Sequence, residues 1–274
     1  VGAAGTVLLF RDGAWTLLDP PTDRDLHGVG ILPGGELYIA GDGGLIAHRT
    51  IDGAWEVQQP GITADLYAVH ASTEGGIHVV GASGAALELK GSQWVQSQIA
   101  GPASRMRSIW RAPGGRLFAV GTGGAVAVKD GGSWKLQVTA DPYEPPRDLY
   151  AVFGFAEDDV WAVGSQGVVL KYNGKKWLAD SVEGPYNTTA DLRAAGGLPR
   201  ADGTRLLVAA GLDSRALERG TETWVDRSVG LTNDLLGVRV GEDGRVLAVG
   251  SRGLALTYSD GRFGSLATNT LADL

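Results

Sequence analysis

The sequence predicts an all-β protein, a β-propeller of four-stranded antiparallel blades. Three observations carry that reading: a repeat of about 40 residues, four short apolar runs in each repeat, and glycines set at fixed intervals between the runs. A segment opening with Asp-Leu starts at Asp25, Asp65, Asp148, Asp191 and Asp234, with Arg105-Met106 standing in once and Asp273-Leu274 closing the sequence. The spacings are 40, 40, 43, 43, 43 and 39 residues. Periods of that length with four strands each are the mark of propeller blades. Helical repeats of similar length fail, because the apolar runs are four to six residues long, rich in Val, Leu and Ile, and bounded by Gly.

Each repeat reads in the same order, as strands A to D. Strand A follows Asp-Leu, strand B ends in Ala-Val-Gly or close to it, a Gly-x-x-Gly turn leads to strand C, and strand D opens on Trp. In the second repeat A is 66–71, B 77–80, C 85–89 and D 94–98. The turn recurs from Gly2, Gly41, Gly81, Gly121, Gly164 and Gly250, with Gly211-Leu-Asp-Ser214 as a degenerate copy. Read as two-residue hairpins, these turns need Gly for positive φ. The D strands carry Trp15, Trp55, Trp94, Trp134, Trp177 and Trp224, with Phe263 in the last repeat. One large aromatic per repeat is expected to pack between neighbouring blades, since a packing contact must recur and a ligand contact need not.

Residues 1–24 supply strands C and D alone, and 25–64, 65–104, 105–147, 148–190, 191–233 and 234–272 are full blades of a single propeller domain. Seven blades are therefore expected, one of them incomplete, with six as the alternative. The missing A and B strands, and a first residue other than Met, suggest a piece of a longer protein.

The run Trp161-Ala-Val-Gly164, Ser165-Gln-Gly167, Val168-Val-Leu170 and Asn173-Gly-Lys-Lys-Trp177, after an Asp-Leu-x-x-Val start, resembles the repeats of photosystem II stability/assembly factor-like propellers. More distantly the chain is similar to the Asp-box (BNR) propellers of sialidases. The resemblance covers nearly the whole chain and implies assembly work around membrane complexes. The Asp-boxes are degenerate: Asp12-Gly-Ala-Trp15 and Asp52-Gly-Ala-Trp55 are one residue short, and Lys90-Gly-Ser-Gln-Trp94 lacks the Asp. The Gly-His and Trp-Asp dipeptides of WD repeats are missing.

Composition bounds the function. The 274 residues include 43 Gly, 11 Pro, one Met and no Cys, with a net charge of -7 and 43% hydrophobic residues; mean hydropathy is -0.01. Such a chain folds rather than staying disordered, and no run reaches the roughly 18 to 20 apolar residues of a membrane-spanning helix. Without Cys there is no disulfide framework, thiolate metal site or Cys nucleophile. The acidic balance argues against a nucleic-acid partner. Nothing marks a catalytic constellation: the sialidase Arg motif, P-loop, serine elbow and dinucleotide fingerprint are all missing, and His27, His48, His70 and His78 lack metal-ligand spacing. No metal or cofactor is expected.

Binding residues are sought where the repeats disagree. The third position of strand A holds His27, Tyr67, Arg107, Tyr150, Arg193 and Leu236, beside an invariably small fourth position, Gly28, Ala68, Ser108, Ala151, Ala194 and Gly237. This column is expected near a pore mouth on the face built by the D–A and B–C loops, where aromatic and Arg side chains suit an anionic or planar group. Interblade packing with polar tips in channel water is the competing reading. Two longer D–A loops add Pro142-Tyr143 and Pro185-Tyr186 to that face, and Tyr gives contact area at low entropic cost. The expectation is a non-enzymatic propeller that recognises a protein partner, possible membrane or cell-surface complexes among them, in a bacterial periplasmic, cell-surface or secreted setting. The alternatives are carbohydrate binding and a divergent glycosidase or lyase.

Overall fold

Strands dominate because each apolar run is too short for a helix and stops at a glycine turn. The computed structural model describes residues 1–274 except 75, 102–104, 138, 140–145, 181–188, 201, 221–222, 242, 260, 269 and 271–272. The chain divides into two compact units. The first comprises residues 1–111, 115–121 and 127–137, and the second residues 112–114, 122–126 and 138–274.

The first unit begins with a two-stranded sheet, β1 (Val7–Arg11) and β2 (Ala14–Leu18). Three four-stranded meanders follow: β3 (Leu26–Ile31), β4 (Leu37–Gly41), β5 (Ile46–Arg49) and β6 (Trp55–Gln58); β7 (Leu66–Ser72), β8 (Gly76–Gly81), β9 (Ala85–Lys90) and β10 (Gln93–Gln98); and β11 (Met106–Arg111), β12 (Leu117–Gly121), β13 (Val126–Lys129) and β14 (Trp134–Gln137). The second unit holds β15 (Leu149–Ala156), β16 (Asp159–Gly164), β17 (Val169–Tyr172) and β18 (Trp177–Ala179); β19 (Leu192–Pro199), β20 (Arg205–Gly211), β21 (Ala216–Arg219) and β22 (Trp224–Asp226); and β23 (Leu235–Val240), β24 (Val246–Gly250), β25 (Ala255–Ser259) and β26 (Arg262–Leu266). These six four-stranded antiparallel blades make the protein an all-β propeller. Six is thus the count of complete blades, the alternative reading. A seventh is not shown, because β1 and β2 pair only with each other among the described residues. No described helix is long and apolar enough to cross a membrane.

The second strand of most blades is buried on both faces, so β4, β8, β12 and β16 show no alternation of burial and are mostly apolar, with His78 and Asp159 the buried polar exceptions. The residue after the motif Asp is core: Leu66, Met106, Leu149, Leu192 and Leu235 are fully buried. Met106 fills that place where Arg105 replaces Asp.

The Gly-x-x-Gly turn works differently from the two-residue hairpin expected. Each is a single 3₁₀ turn, and the first glycine is extended, with φ of -164° at Gly41 and -170° at Gly250. What demands glycine there is space: a Cβ on Gly41, Gly81 or Gly164 would lie 2.1, 2.1 or 2.0 Å from the carbonyl oxygen of Asp25, Asp65 or Asp148. Positive φ falls on the third and fourth turn positions, and five of the seven third positions carry a side chain: Ala4, Ser83, Gln166, Asp213 and Arg252.

That close approach forms a two-sided contact. The motif Asp carbonyl accepts from the turn of its own blade, Asp42 N to Asp25 O at 3.0 Å, Ala82 N to Asp65 O at 2.8 Å and Ser165 N to Asp148 O at 2.8 Å. Its carboxylate accepts from the turn of the preceding repeat. Ala4 N donates to Asp25 Oδ1 at 2.8 Å, Gly43 N to Asp65 at 2.9 Å, Gly123 N to Asp148 at 2.7 Å, Gln166 N to Asp191 at 2.9 Å, Asp213 N to Asp234 at 3.2 Å and Arg252 N to Asp273 at 2.9 Å. Each aspartate therefore ties two successive turns together.

The D-strand aromatics pack in clusters that draw on their own repeat and on the one before it. Trp55 meets the cluster of Val7, Leu26 and Leu37, Trp94 that of Tyr38, Ile46 and Ile77, and Phe263 that of Leu206, Val208 and Val246. Trp224 on β22 meets Trp161 on β16 edge to face, ring centroids 6.0 Å apart at 85°, and donates its indole N–H to Asp180 Oδ2 at 2.9 Å.

Two stability outcomes follow. Trp224→Ala should lower unfolding free energy by about 3 to 5 kcal/mol in denaturant titration, as for other buried aromatics; a loss near zero would remove the wedge. Asp65→Ala should cost about 1.5 to 3 kcal/mol, the range for hydrogen bonds to a charged group, while Asp65→Asn, which keeps an acceptor, should cost less.

Candidate functional site

The variable column owes its position to a backbone irregularity shared by all six blades. Pairing between first and second strands skips one residue, between Leu26 and Gly28, Leu66 and Ala68, Met106 and Ser108, Leu149 and Ala151, Leu192 and Ala194, and Leu235 and Gly237. The skipped residues are His27, Tyr67, Arg107, Tyr150, Arg193 and Leu236. Each is the extra residue of a β-bulge, a device that re-aims a side chain and removes its partner in the ladder. The small neighbour permits close strands: a Cβ on Gly28 of β3 would lie 2.9 Å from the Ala68 Cα of β7.

In the first unit the bulge residues line up across blades. His27 lies 5.5 Å from Tyr67, ring to ring, and the Arg107 guanidinium carbon lies 5.5 Å from the Tyr67 centroid. His27 Nε2 is 2.7 Å from Asp42 Oδ1. In the second unit the Arg193 guanidinium sits over the Tyr150 ring at 4.0 Å, and its Nη2 donates to Asp191 Oδ2 at 2.9 Å. The Tyr150 hydroxyl faces the same oxygen at 3.5 Å. Leu236 is exposed. The structure thus brings together His27, Tyr67 and Arg107, and separately Tyr150 and Arg193. Tyr143 and Tyr186 lie outside the described residues.

Sequence reasoning missed a second concave site, wholly within the second unit. A cleft of about 590 Å³ opens at the opposite strand ends, lined by the β19–β20 and β21–β22 hairpins and by Phe155, Trp161 and Lys171. Lys171 Nζ lies 4.8 Å from the Trp161 ring centroid and the Arg219 guanidinium 5.6 Å from it, while Arg205 covers Phe155 at 5.2 Å. Behind them the nearly buried Asp159 carboxylate pairs with Arg205 and, at 3.6 Å, with Lys171. Glu218 accepts from Arg227 Nε at 2.9 Å and from the Tyr258 hydroxyl at 2.5 Å. The only signal for this site in the sequence was basic residues at hairpin ends, which is also the signature of a solvated turn.

No group of three or more His, Asp or Glu suited to a metal ion occurs among the described residues. With the geometry in place, comparison with known proteins defines a class. The chain is similar in fold to YCF48 bound to D1 peptide, at 19% identity over 94% of this chain and 86% of that one, with a TM-score of 0.69. It is similar also to a catalytically inactive virginiamycin B lyase from Staphylococcus aureus with quinupristin, at 10% identity, 96% and 88% coverage and a TM-score of 0.76. A third is the WD40 propeller domain of Doa1, at 14% identity, 95% and 88% coverage and a TM-score of 0.75. The resemblance read from the repeats is therefore met in fold by YCF48, a photosystem II assembly factor. No family model and no curated protein matches the chain.

Burial first, and then the Glu218 carboxylate, push the Tyr258 phenol up to about 12 from its ordinary value near 10. A raised folded-state value favours the protonated form, so its stabilising contribution is complete below pH ~10 and lost as pH rises through ~12. Melting temperature should fall across that window, and Tyr258→Phe should flatten the fall. An unchanged slope in the variant would assign the loss elsewhere.

Proposed function

We propose that this propeller is a non-enzymatic binding module or assembly scaffold that recognises a protein partner through the side of the blades carrying the bulge column and the Gly-x-x-Gly turns. One observation carries the reading. At six equivalent positions the backbone releases a residue from strand pairing, and those positions hold His27, Tyr67, Arg107, Tyr150, Arg193 and Leu236, whereas the motif Asp, the turn and the D-strand aromatic repeat. A structural position under packing constraint alone has no reason to vary between imidazole, phenol and guanidinium.

The Tyr67–Arg107 pair offers a cation beside an aromatic face, which suits an acidic or planar group on the partner. The similarity to YCF48 bound to D1 peptide supports a protein ligand, and we place the module in an exported or cell-surface setting, at a membrane-associated complex.

The test is capture from an extract of the source organism with the parent chain and with Tyr67→Ala, Arg107→Ala and the double variant. A specific partner should bind the parent and weaken by about 1.5 to 3 kcal/mol, tenfold or more, with Arg107→Ala, at unchanged melting temperature. Identical recovery by parent and double variant would refute the placement of the site.

A further inference from the structure

The cleft at the opposite strand ends lies apart from the bulge column and stands independently of the reading above. Its size falls within the range of small-ligand pockets, about 300 to 1,000 Å³, and its floor is apolar: Leu207 and Trp161 are nearly buried, at 2% and 5% exposure. The Trp161 indole N–H is buried and has no hydrogen-bond partner among the described residues. A buried donor left over in a native fold calls for an explanation, and an acceptor supplied from outside is one.

The charges separately define the ligand's anionic group. Among the described residues, Lys171, Arg200, Arg205 and Arg219 line or flank the cleft and Arg227 stands behind it, while Asp159, Asp180, Asp202 and Glu218 answer them. Five cations against four carboxylates leave an excess of one positive charge. The carboxylates are committed: Asp159 to Arg205 and Lys171, Asp180 to Arg219 and the Trp224 indole, Glu218 to Arg227 and Tyr258, and Asp202 to the backbone and hydroxyl of Thr204. Arg200 has a 3.8 Å contact with Glu218, which is better held by Arg227, and a looser electrostatic one with Asp202, and its side chain is 45% exposed. A guanidinium fork at the rim of an apolar floor matches a planar carboxylate.

We propose that this cleft binds a singly charged carboxylate attached to an apolar body, the carboxylate on Arg200 and the body over Trp161, Phe155 and Leu207. A free organic acid and an acidic side chain of a peptide share that chemistry.

The experiment titrates the whole chain with phenylacetate, its neutral isostere phenylacetamide, and a peptide blocked at both ends that carries Glu beside Phe. Calorimetry gives affinity, and the indole N–H resonance of Trp161, assigned from its absence in Trp161→Phe, reports occupancy. Phenylacetate is expected to bind and shift that resonance, with affinity at least tenfold lower for the amide and for Arg200→Gln, and an intermediate loss for Arg200→Lys at unchanged melting temperature. Should the peptide bind and phenylacetate not, the ligand is an acidic chain; phenylacetate alone makes it a small organic acid. Either result upholds the site. Equal binding of acid and amide, an unmoved Trp161 resonance with both acids, or full affinity in Arg200→Gln overturns it.

Discussion

The motif aspartate is the constraint from which the rest of the blade follows. Its carbonyl is fixed by its own blade's turn and its carboxylate by the turn of the preceding repeat, so one residue sets both the start of a first strand and its distance from the neighbour. Hydrogen bonds from backbone N–H to an ionised carboxylate are among the stronger ones available. Because the carbonyl must come so close, the first turn residue can carry no Cβ. Because the carboxylate must reach an N–H, the third turn residue takes the left-handed conformation even where it is Gln166 or Arg252. The buried Leu then follows from chain direction: with Asp held at the turn, the next side chain points into the blade. Arg105 keeps the carbonyl approach, to Gly121, but brings no carboxylate.

The bulge is the complement of that fixation. A strand pinned at its first residue and paired from its third onwards must absorb one residue between them, and the register skips at that point in every blade. What sits there is excused from cross-strand matching and from core volume, which are the two pressures that make the neighbours alike. The second cleft arises from different physics. It forms where hairpins of one blade overhang the aromatic residues of the blade before it: Arg205 and Arg219 reach Phe155 and Trp161 across blades, while Lys171 covers Trp161 from the next strand of its own sheet.

Much of the architecture was legible from periodicity, because every blade repeats the same local rules. Strand limits in the second repeat agree with the sequence to within one residue. The turn glycines were legible as structural, but the reason for the first of them was not: an extended glycine meets its constraint in a carbonyl sixteen residues upstream, such as Asp25 for Gly41, and no local signal marks that. The column was legible as variation, whereas its bulge needs strand pairing to be seen. The six complete blades and the lone C–D pair were both legible, and a seventh blade is not shown because that pair completes no four-stranded sheet among the described residues. The cleft was invisible, since Trp161, Arg200 and Arg219 share no motif and belong to two different repeats.

Asp191 joins the two themes in one side chain. Its Oδ1 holds the turn of the preceding repeat through Gln166, and its Oδ2 holds Arg193, which covers Tyr150. A ligand drawing Arg193 outward would remove the counter-charge from the carboxylate that fastens neighbouring blades, and a ligand settling over Arg193 in place would deepen it. Any group that bound at Arg193 would therefore be thermodynamically linked, through Asp191, to the contact that fastens one repeat to the next.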